Sequence, residues 1–574
     1  MLWLSLVFLA GAFEEVAQSD LKQWHAEAAA DVAAQVVEVE GAAVFEISVP
    51  ENVAPGFPRA CLRMPAVPGL LLEFRSEVWT EGIAKGYGAY ITLEHLDAEG
   101  KRISYEQSGP AFLLGQWNAL VARGVTPPGT QEVMVCWVLN GHGTGRYRKP
   151  VLEQLAVMEE TPLPEEVRVE VGADALPQRL VGFGAEDDGW FYAPVNIDQG
   201  VTEEDITLRE ERIRWMDPDW VRMFFWYKDW NPSGDWETFT FDSPNMESHY
   251  RSIALYQAIG AEVNVTGVEW GMDAPWAQPE QLAKAVGALL EYLIKDRGLT
   301  CVKYWTLTNE PNLGFVRDGR TFQDFVRLHT LVKAQIDARG LDVQVVGSDE
   351  TNGGWPWFKA CVEDAAYFET AGIFASHRYF QSNAQAIIPR FFEERVDLLA
   401  GRKPLIIAEF GFQDKRSGVM DNPLMEEYPY AVWTSAFAIE GLNQGVAGMN
   451  IWCLHEMYYS FGSFMNYGLW NFKNRDWSVR PVYHAWSQFT RLTEAGDAVR
   501  PCTTSHPSVK AAVVGDRLFF VNTSDSATRL RVEGLPVETV RVMQESSLHG
   551  DRECGEVVTV EEGVFAVPAM SFGH

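Results

Sequence analysis

With 574 residues, 47% of them hydrophobic, the chain is too long for one ordinary domain and apolar enough to bury a core in each of two to four. A formal net charge of -32 repels polyphosphate at long range, which excludes nucleic acid and anionic membrane surfaces as natural partners. Seven cysteines and eleven histidines are scattered without metal-type spacing, with no His-x-His or His-Glu-x-x-His, so the sequence calls for no metal and no cofactor.

The chain opens on an apolar run, Leu2 to Leu9, followed by the small-x-small step Ala10-Gly11-Ala12, with no Lys or Arg ahead of it. This pattern predicts a signal peptide over residues 1–17 and a secreted or periplasmic protein, a misassigned start being the rival reading. No other apolar run reaches the length of a membrane span, so no membrane insertion is expected.

Over residues 22–165 short alternating segments recur at 37–39, 44–49, 69–78, 89–95, 117–122 and 131–138, broken by Gly, Pro and Asp. None has the length and period of a long helix, and the pattern predicts a jelly-roll-like antiparallel β-sandwich. In an exported chain Cys61 with Cys136, and Cys502 with Cys554, are candidate bridges; buried free thiols are the alternative.

From residue 180 the rhythm becomes strand, turn, helix. Strand patterns at 180–185, 221–226, 262–268, 302–307, 343–346, 373–376, 405–408 and 446–452 are each followed by a helical one. Capping boxes at Thr202 to Asp205 and Thr321 to Asp324 open two of the helices. Eight such units across 175–495 predict a TIM, or (β/α)8, barrel, because alternating units of this length close a parallel sheet with helices outside. After residue 495 the helices stop. Strand patterns at 509–514, 517–522, 528–532, 539–543, 557–560 and 564–567 predict a C-terminal all-β domain over 496–574, to which 168–171 can add a strand. The fold class is therefore multidomain: a central barrel between an N-terminal β-sandwich and a C-terminal β domain.

Reactive groups of such a barrel sit at the C-terminal ends of its strands. The fourth strand ends in Asn309-Glu310-Pro311 and the seventh delivers Glu409. Arg222 lies on the second, Glu269 and Trp270 follow the third, His377 and Tyr379 lie on the sixth, and Trp452 and His455 follow the eighth. Two glutamates at the ends of buried strands point to paired-carboxylate chemistry, one carboxyl carrying a proton and the other ionised. Arg222 is the natural partner of the ionised one, a structural ion pair elsewhere being the alternative.

With Asn309-Glu310-Pro311 on strand four and Glu409 on strand seven, the chain resembles the clan A glycoside hydrolases. Gly182-Phe183-Gly184 on strand one, the β domain built from the tail and the closing Val567-Pro568-Ala569-Met570-Ser571 make the layout look like families thirty, thirty-nine and fifty-one. The resemblance implies a retaining enzyme that cleaves β-glycosidic bonds of poly- or oligosaccharides, with Glu310 as acid/base and Glu409 as nucleophile. It also implies that Asn309 bonds the sugar 2-hydroxyl, that Tyr379 orients the nucleophile with His377 on the same strand face, and that Trp452 floors the subsite of the sugar being cleaved. Several members carry a histidine where this chain has Glu269-Trp270; Glu269 either binds a sugar hydroxyl or is solvated. Beside such a barrel the N-terminal module is similar to carbohydrate-binding modules, a structural lid being the alternative.

The segments 227–236, 270–276 and 355–357 are expected to rim the mouth with aromatic and acidic groups, which suit neutral sugars. Few cations occupy them, which disfavours uronic acids and sulfated sugars, an expectation that Lys228 and Arg317 weaken if they lie close. The carbohydrate partner leaves three readings: a hydrolase, a transglycosylase with the same residues, and a binding protein without turnover. Sugar identity, endo or exo action and oligomeric state stay open.

Overall fold

The computed structural model describes residues 20–158, 161–270 and 275–574; the expected signal at 1–17 lies outside them. Its centre is a closed barrel of parallel strands: β1 (Gly182–Glu186), β2 (Trp220–Trp226), β3 (Glu262–Val268), β4 (Val302–Thr306), β5 (Gln344–Glu350), β6 (Ala371–Gln381), β7 (Leu405–Gln413) and β8 (Gly448–Ile451). The strands are buried on both faces, which is why they read as nearly continuous apolar runs rather than as alternation. Backbone approach between neighbours is close enough to dictate sequence. A Cβ on Gly184 would stand 1.6 Å from the Trp220 carbonyl oxygen, so only glycine lets β1 pair with β2.

Helices cover the outside, and local signals place their ends. The boxes at Thr202 and Thr321 cap Glu203–Met216 and Phe322–Ala338, satisfying orphan N–H groups at each start. Gly260 and Gly445, both left-handed, close Pro244–Ile259 and Tyr428–Gln444.

Three strands run further than the sequence pattern predicts. The fifth extends past 346 to Glu350, the sixth past 376 to Gln381 and the seventh past 408 to Gln413. Ser348, Asp349, Glu350, Ser376 and His377 look like strand terminators along the chain, yet all are buried. Asp349 is bonded by Arg222 and His377 and Glu350 by Ser376, all across strands, while Ser348 bonds Glu350 on its own strand and Tyr367 on a helix.

The N-terminal module is an eight-stranded sheet folded over on itself. The segments read at 69–78 and 89–95 are halves of one long strand, Leu70–Leu96, and that read at 131–138 is the start of another, Glu132–Val157; the two pair antiparallel and fold together at the register shifts between Glu81 and Gly88. Both halves share one core, in which Trp24 stacks on Trp137 at 3.6 Å between ring centres. Cys61 and Cys136 face each other across paired strands and form a disulfide. The alternative pair does not form: Cys502 and Cys554 are free thiols, the latter 3.3 Å from His484 Nδ1.

The module docks on the barrel beside the mouth. Arg123 forks onto Glu394 at 2.9 and 2.8 Å, Arg378 donates to Glu106 at 3.1 Å, and Phe112 packs among Phe322 and Trp357 in the barrel's core. At the other end, Glu166–Val171 joins the tail strands in a nine-stranded sheet that seats Phe519 against Phe489. No helix among the described residues is long and apolar enough to cross a membrane.

Candidate active site

Arg222 organises the mouth. Its guanidinium is buried at the C-terminal end of the barrel and donates to four groups. Nη1 reaches Glu186 Oε2 on β1 at 3.0 Å and Glu409 Oε2 on β7 at 3.1 Å. Nη2 reaches Asn309 Oδ1 after β4 at 2.7 Å and Asp349 Oδ2 on β5 at 3.0 Å. The planar fork holds these geometries together in a way a lysine does not.

His377 is the second buried cation. Nε2 lies 2.9 Å from Asp349 Oδ1, while Nδ1 faces Glu310 Oε1 at 3.4 Å and Glu409 Oε2 at 3.6 Å. Its register partner across the sheet is Glu409 itself. Tyr379, two residues on and on the same strand face, donates its hydroxyl to Glu409 Oε1 at 2.7 Å. Glu409 thus receives contacts from Arg222, His377 and Tyr379. Glu310, half-buried, leaves the ring of strands in the left-handed region at φ 50°, followed by a short helical turn that starts at Pro311. Ser348 and Asp349 are left-handed too, at φ 66° and 51°. Three non-glycine residues at the mouth thus carry backbone strain, as residues at functional sites often do.

The electrostatics follow from crowding four carboxyl groups around two cations. Burial disfavours the imidazolium of His377, yet Asp349 and Glu409 outweigh it and lift the ring to about 10. Asp349 is held below its ordinary value: burial opposes this, and His377 and Arg222 prevail. Burial, with Glu409 close by, pushes Glu186 up to about 7 against the pull of Arg222. Glu409, expected to stay ionised, is pushed upward by burial, with Glu310 adding to the push, while His377, Arg222 and the Tyr379 hydroxyl pull it back. Burial outweighs the cations because Arg222 divides its charge among several acids.

Glu310, His377 and Glu409 form the one group of three ligand-type side chains that converges among the described residues, with their atoms all within 4.8 Å of one another. His377 Nε2 is taken by Asp349, and Glu409 is taken by Tyr379 and Arg222, so these donors already serve a hydrogen-bonded network.

The other predicted residues fall around this network. Trp452 is buried, with its ring 5.4 Å from Phe224, and Phe224 lies under the Arg222 guanidinium at 4.8 Å. Glu269 and Trp270 line a cavity of about 400 Å³ together with Asn309 and Glu310. Glu269 is not simply solvated: it is half-buried and accepts a hydrogen bond from Thr308 at 3.0 Å. Trp270 stays exposed, edge-on to Phe224 at 5.0 Å and parallel to Tyr459 at 6.1 Å. His455 does not join the mouth; it is buried against Arg209 and Asp187, edge-to-face with Phe191 at 4.7 Å.

Sequence reasoning missed Glu186, Asp188, Asp349 and Arg320. Asp188 accepts from the Tyr459 hydroxyl, and Arg320 lines the same cavity as Glu310. The acidic run Glu186-Asp187-Asp188 at the end of a strand was a usable signal, since three adjacent acids are costly to bury without a function. The expectation of few cations at the rim also needs correction. Lys228 lies over Trp226, but Arg317 and Arg320 both line the cavity, brought there by the loop after β4.

No family model and no curated protein matches the sequence. Solved structures do. A family 30 glycoside hydrolase endoxylanase from Clostridium papyrosolvens aligns at TM-score 0.52 and 16% identity, over 71% of this chain and 98% of its own. The family 30 xylanase C catalytic domain from Talaromyces cellulolyticus aligns at 0.53 and 12% identity, over the same shares, 71% and 98%. SrfJ from Salmonella typhimurium aligns at 0.52 and 12% identity, over 84% of this chain and 98% of its own. At such identities the likeness is one of fold, and the fold this chain shares with these structures is the (β/α)8 barrel with its β-rich flank.

Proposed function

We propose that the protein is a retaining glycoside hydrolase that cleaves β-glycosidic bonds of poly- or oligosaccharides by double displacement, with Glu310 as acid/base and Glu409 as nucleophile. The observation that carries this reading is the convergence of the two carboxyl groups, with one oxygen of Glu310 and one of Glu409 within 4.8 Å of one another. Retaining enzymes hold the pair about 5–5.5 Å apart, whereas inverting enzymes need roughly 6.5–9.5 Å to admit a water.

In the first step the Glu409 carboxylate attacks the anomeric carbon, the glycosidic C–O bond breaks, and the leaving oxygen takes the proton of Glu310. In the second, the Glu310 carboxylate takes a proton from water, the water oxygen bonds to the anomeric carbon, and Glu409 leaves as a carboxylate. Arg222, His377 and Tyr379 stabilise that carboxylate in both directions. Asn309, held by Arg222, is placed beside the acid for the sugar 2-hydroxyl, and Trp452 with Phe224 supplies the aromatic floor.

The test is hydrolysis of a panel of aryl β-glycosides and polysaccharides by wild type, Glu310→Gln and Glu409→Gln. The expected result is loss of at least about a thousandfold in either variant on natural glycosides. Full activity in either variant overturns the assignment, and sugar binding without turnover in the wild type replaces it with a binding protein on a barrel scaffold.

A further inference from the structure

The cavity beside Glu310 has a wall that the hydrolytic steps leave unused. Besides Glu310 and Trp270 it is lined by Tyr87, Arg317 and Arg320. Tyr87 belongs to the N-terminal sandwich, at the bend within its long strand Leu70–Leu96, and its side of the molecule is stitched to the barrel loop. The Asp318 N–H donates to the Ile83 carbonyl at 3.1 Å, and the Lys85 N–H donates to Asp318 Oδ1 at 3.3 Å. The Tyr87 N–H is held by Asn140 at 2.8 Å, while half of the residue, 50%, stays exposed. An aromatic ring left open at a cavity wall is a stacking face.

The two arginines are under-used. Among the described residues the Arg317 guanidinium donates no hydrogen bond, and its ion pair is a loose one to Asp318 at 3.7 Å. Arg320 spends Nε on the Phe315 carbonyl at 2.8 Å and otherwise reaches only the same Asp318, at 3.9 Å. One carboxylate therefore serves two guanidinium groups. Glu269, another acid of this cavity, is tied to Thr308; burial pushes its carboxyl upward and the charges of Arg317 and Arg320 pull it back, though neither guanidinium bonds it. Among the described residues neither guanidinium closes a hydrogen bond to a carboxylate, so both keep N–H groups open to an anion that enters the cavity.

The position of the cavity says which part of a substrate meets them. Glu310 lines it and Glu409 does not, so it opens from the acid on the side away from the nucleophile, where the leaving group is protonated and departs. A guanidinium fork matches a carboxylate in two parallel hydrogen bonds, and an aromatic face beside it takes the apolar face of a sugar ring. We propose that this wall is a leaving-group subsite built by two domains, Tyr87 from the sandwich and Arg317 with Arg320 from the barrel, and that it takes a sugar unit bearing a carboxylate. The proposal rests on the glycosidase reading above and narrows its substrate class.

The experiment compares two β-glycosides of whichever sugar the panel identifies, one with a meta-carboxyphenyl and one with a meta-carbamoylphenyl leaving group. The readout is the ratio of their kcat/KM values in wild type, Arg317→Gln, Arg320→Gln and Tyr87→Ala. The ratio is expected to fall about tenfold or more in the arginine variants, the loss of one charge-assisted pair. Tyr87→Ala is expected to lower both values together. A ratio that is the same in wild type and both arginine variants overturns the subsite while leaving the hydrolase standing. No hydrolysis of any glycoside overturns the hydrolase and the subsite with it. Should a variant fail to fold, the wild type decides: the ratio must shrink as salt is raised, since the arginines are solvent-accessible, and a salt-independent ratio overturns the proposal.

Discussion

Replacing Tyr379 with phenylalanine removes one hydrogen-bonding hydroxyl and nothing else from the nucleophile's surroundings. The hydroxyl donates to Glu409 Oε1 at 2.7 Å, and burial together with the Glu409 charge pushes it well above the ordinary tyrosine value, so it remains a neutral donor at any working pH. A hydrogen bond to a charged group is worth about 1.5–3 kcal/mol, which corresponds to roughly 10- to 150-fold in a rate. The bond is strongest to the full carboxylate and weakest once Glu409 is esterified to the sugar. Its loss therefore falls on the second step, in which Glu409 must leave as an anion. With an activated aryl glycoside, Tyr379→Phe is expected to lower kcat and KM together and to show a burst of released phenol, because the glycosyl-enzyme accumulates. The pH profile supplies an independent sign. The hydroxyl favours the ionised form of Glu409, so without it that carboxyl moves up and the acidic limb of kcat/KM shifts to higher pH. A variant with kcat within about twofold of wild type, no burst and an unmoved acidic limb would refute the role given to Tyr379.

Arg222→Met leaves Glu186, Asp349 and Glu409 without their shared cation; removing one member of a buried ion network costs about 3–5 kcal/mol, so a denaturant melt is expected to show that loss together with an inactive enzyme. His377 has a folded value of about 10 against an ordinary 6.5, so its imidazolium contributes stability fully below pH 6.5 and loses it as pH rises towards 10; the Tm difference between wild type and His377→Gln should narrow across that window, and a constant difference contradicts the ion pair with Asp349. The Cys61–Cys136 bridge spans 75 residues, a loop whose closure entropy is worth about 4 kcal/mol, so the double Cys→Ala variant should lower the unfolding midpoint of the sandwich while kcat/KM at 25 °C stays as in wild type.

How much of the site was legible depended on which residues carry a one-dimensional mark. Glu310 stands out because a hydrophobic strand ends in Asn-Glu-Pro, and Glu409 because an apolar run delivers a lone acid. Arg222, Tyr379 and His377 follow once strands are counted, since side chains that alternate along a strand reach the same barrel interior. Asp349 and Glu186 did not follow. Asp349 lies three residues beyond where the apolar pattern of its strand stops, and only its contacts with Arg222 and His377 explain why the strand continues. The strand of Glu186 pairs in register with that of Arg222, so its carboxyl faces the guanidinium by sheet geometry and not by any spacing in the chain.

The sequence by itself determined the eight strand–helix units, the β-rich flanks and the two glutamates at the ends of strands four and seven, because periodicity, capping residues and burial of apolar runs are local properties. Only the tertiary structure decided how far apart those glutamates lie, that one arginine is shared among three carboxylates, and that a tyrosine of the N-terminal sandwich stands with Arg317 and Arg320 at the cavity beside Glu310. These are relations between residues tens to hundreds of positions apart, and they come into being only when the barrel closes and the sandwich docks on its rim.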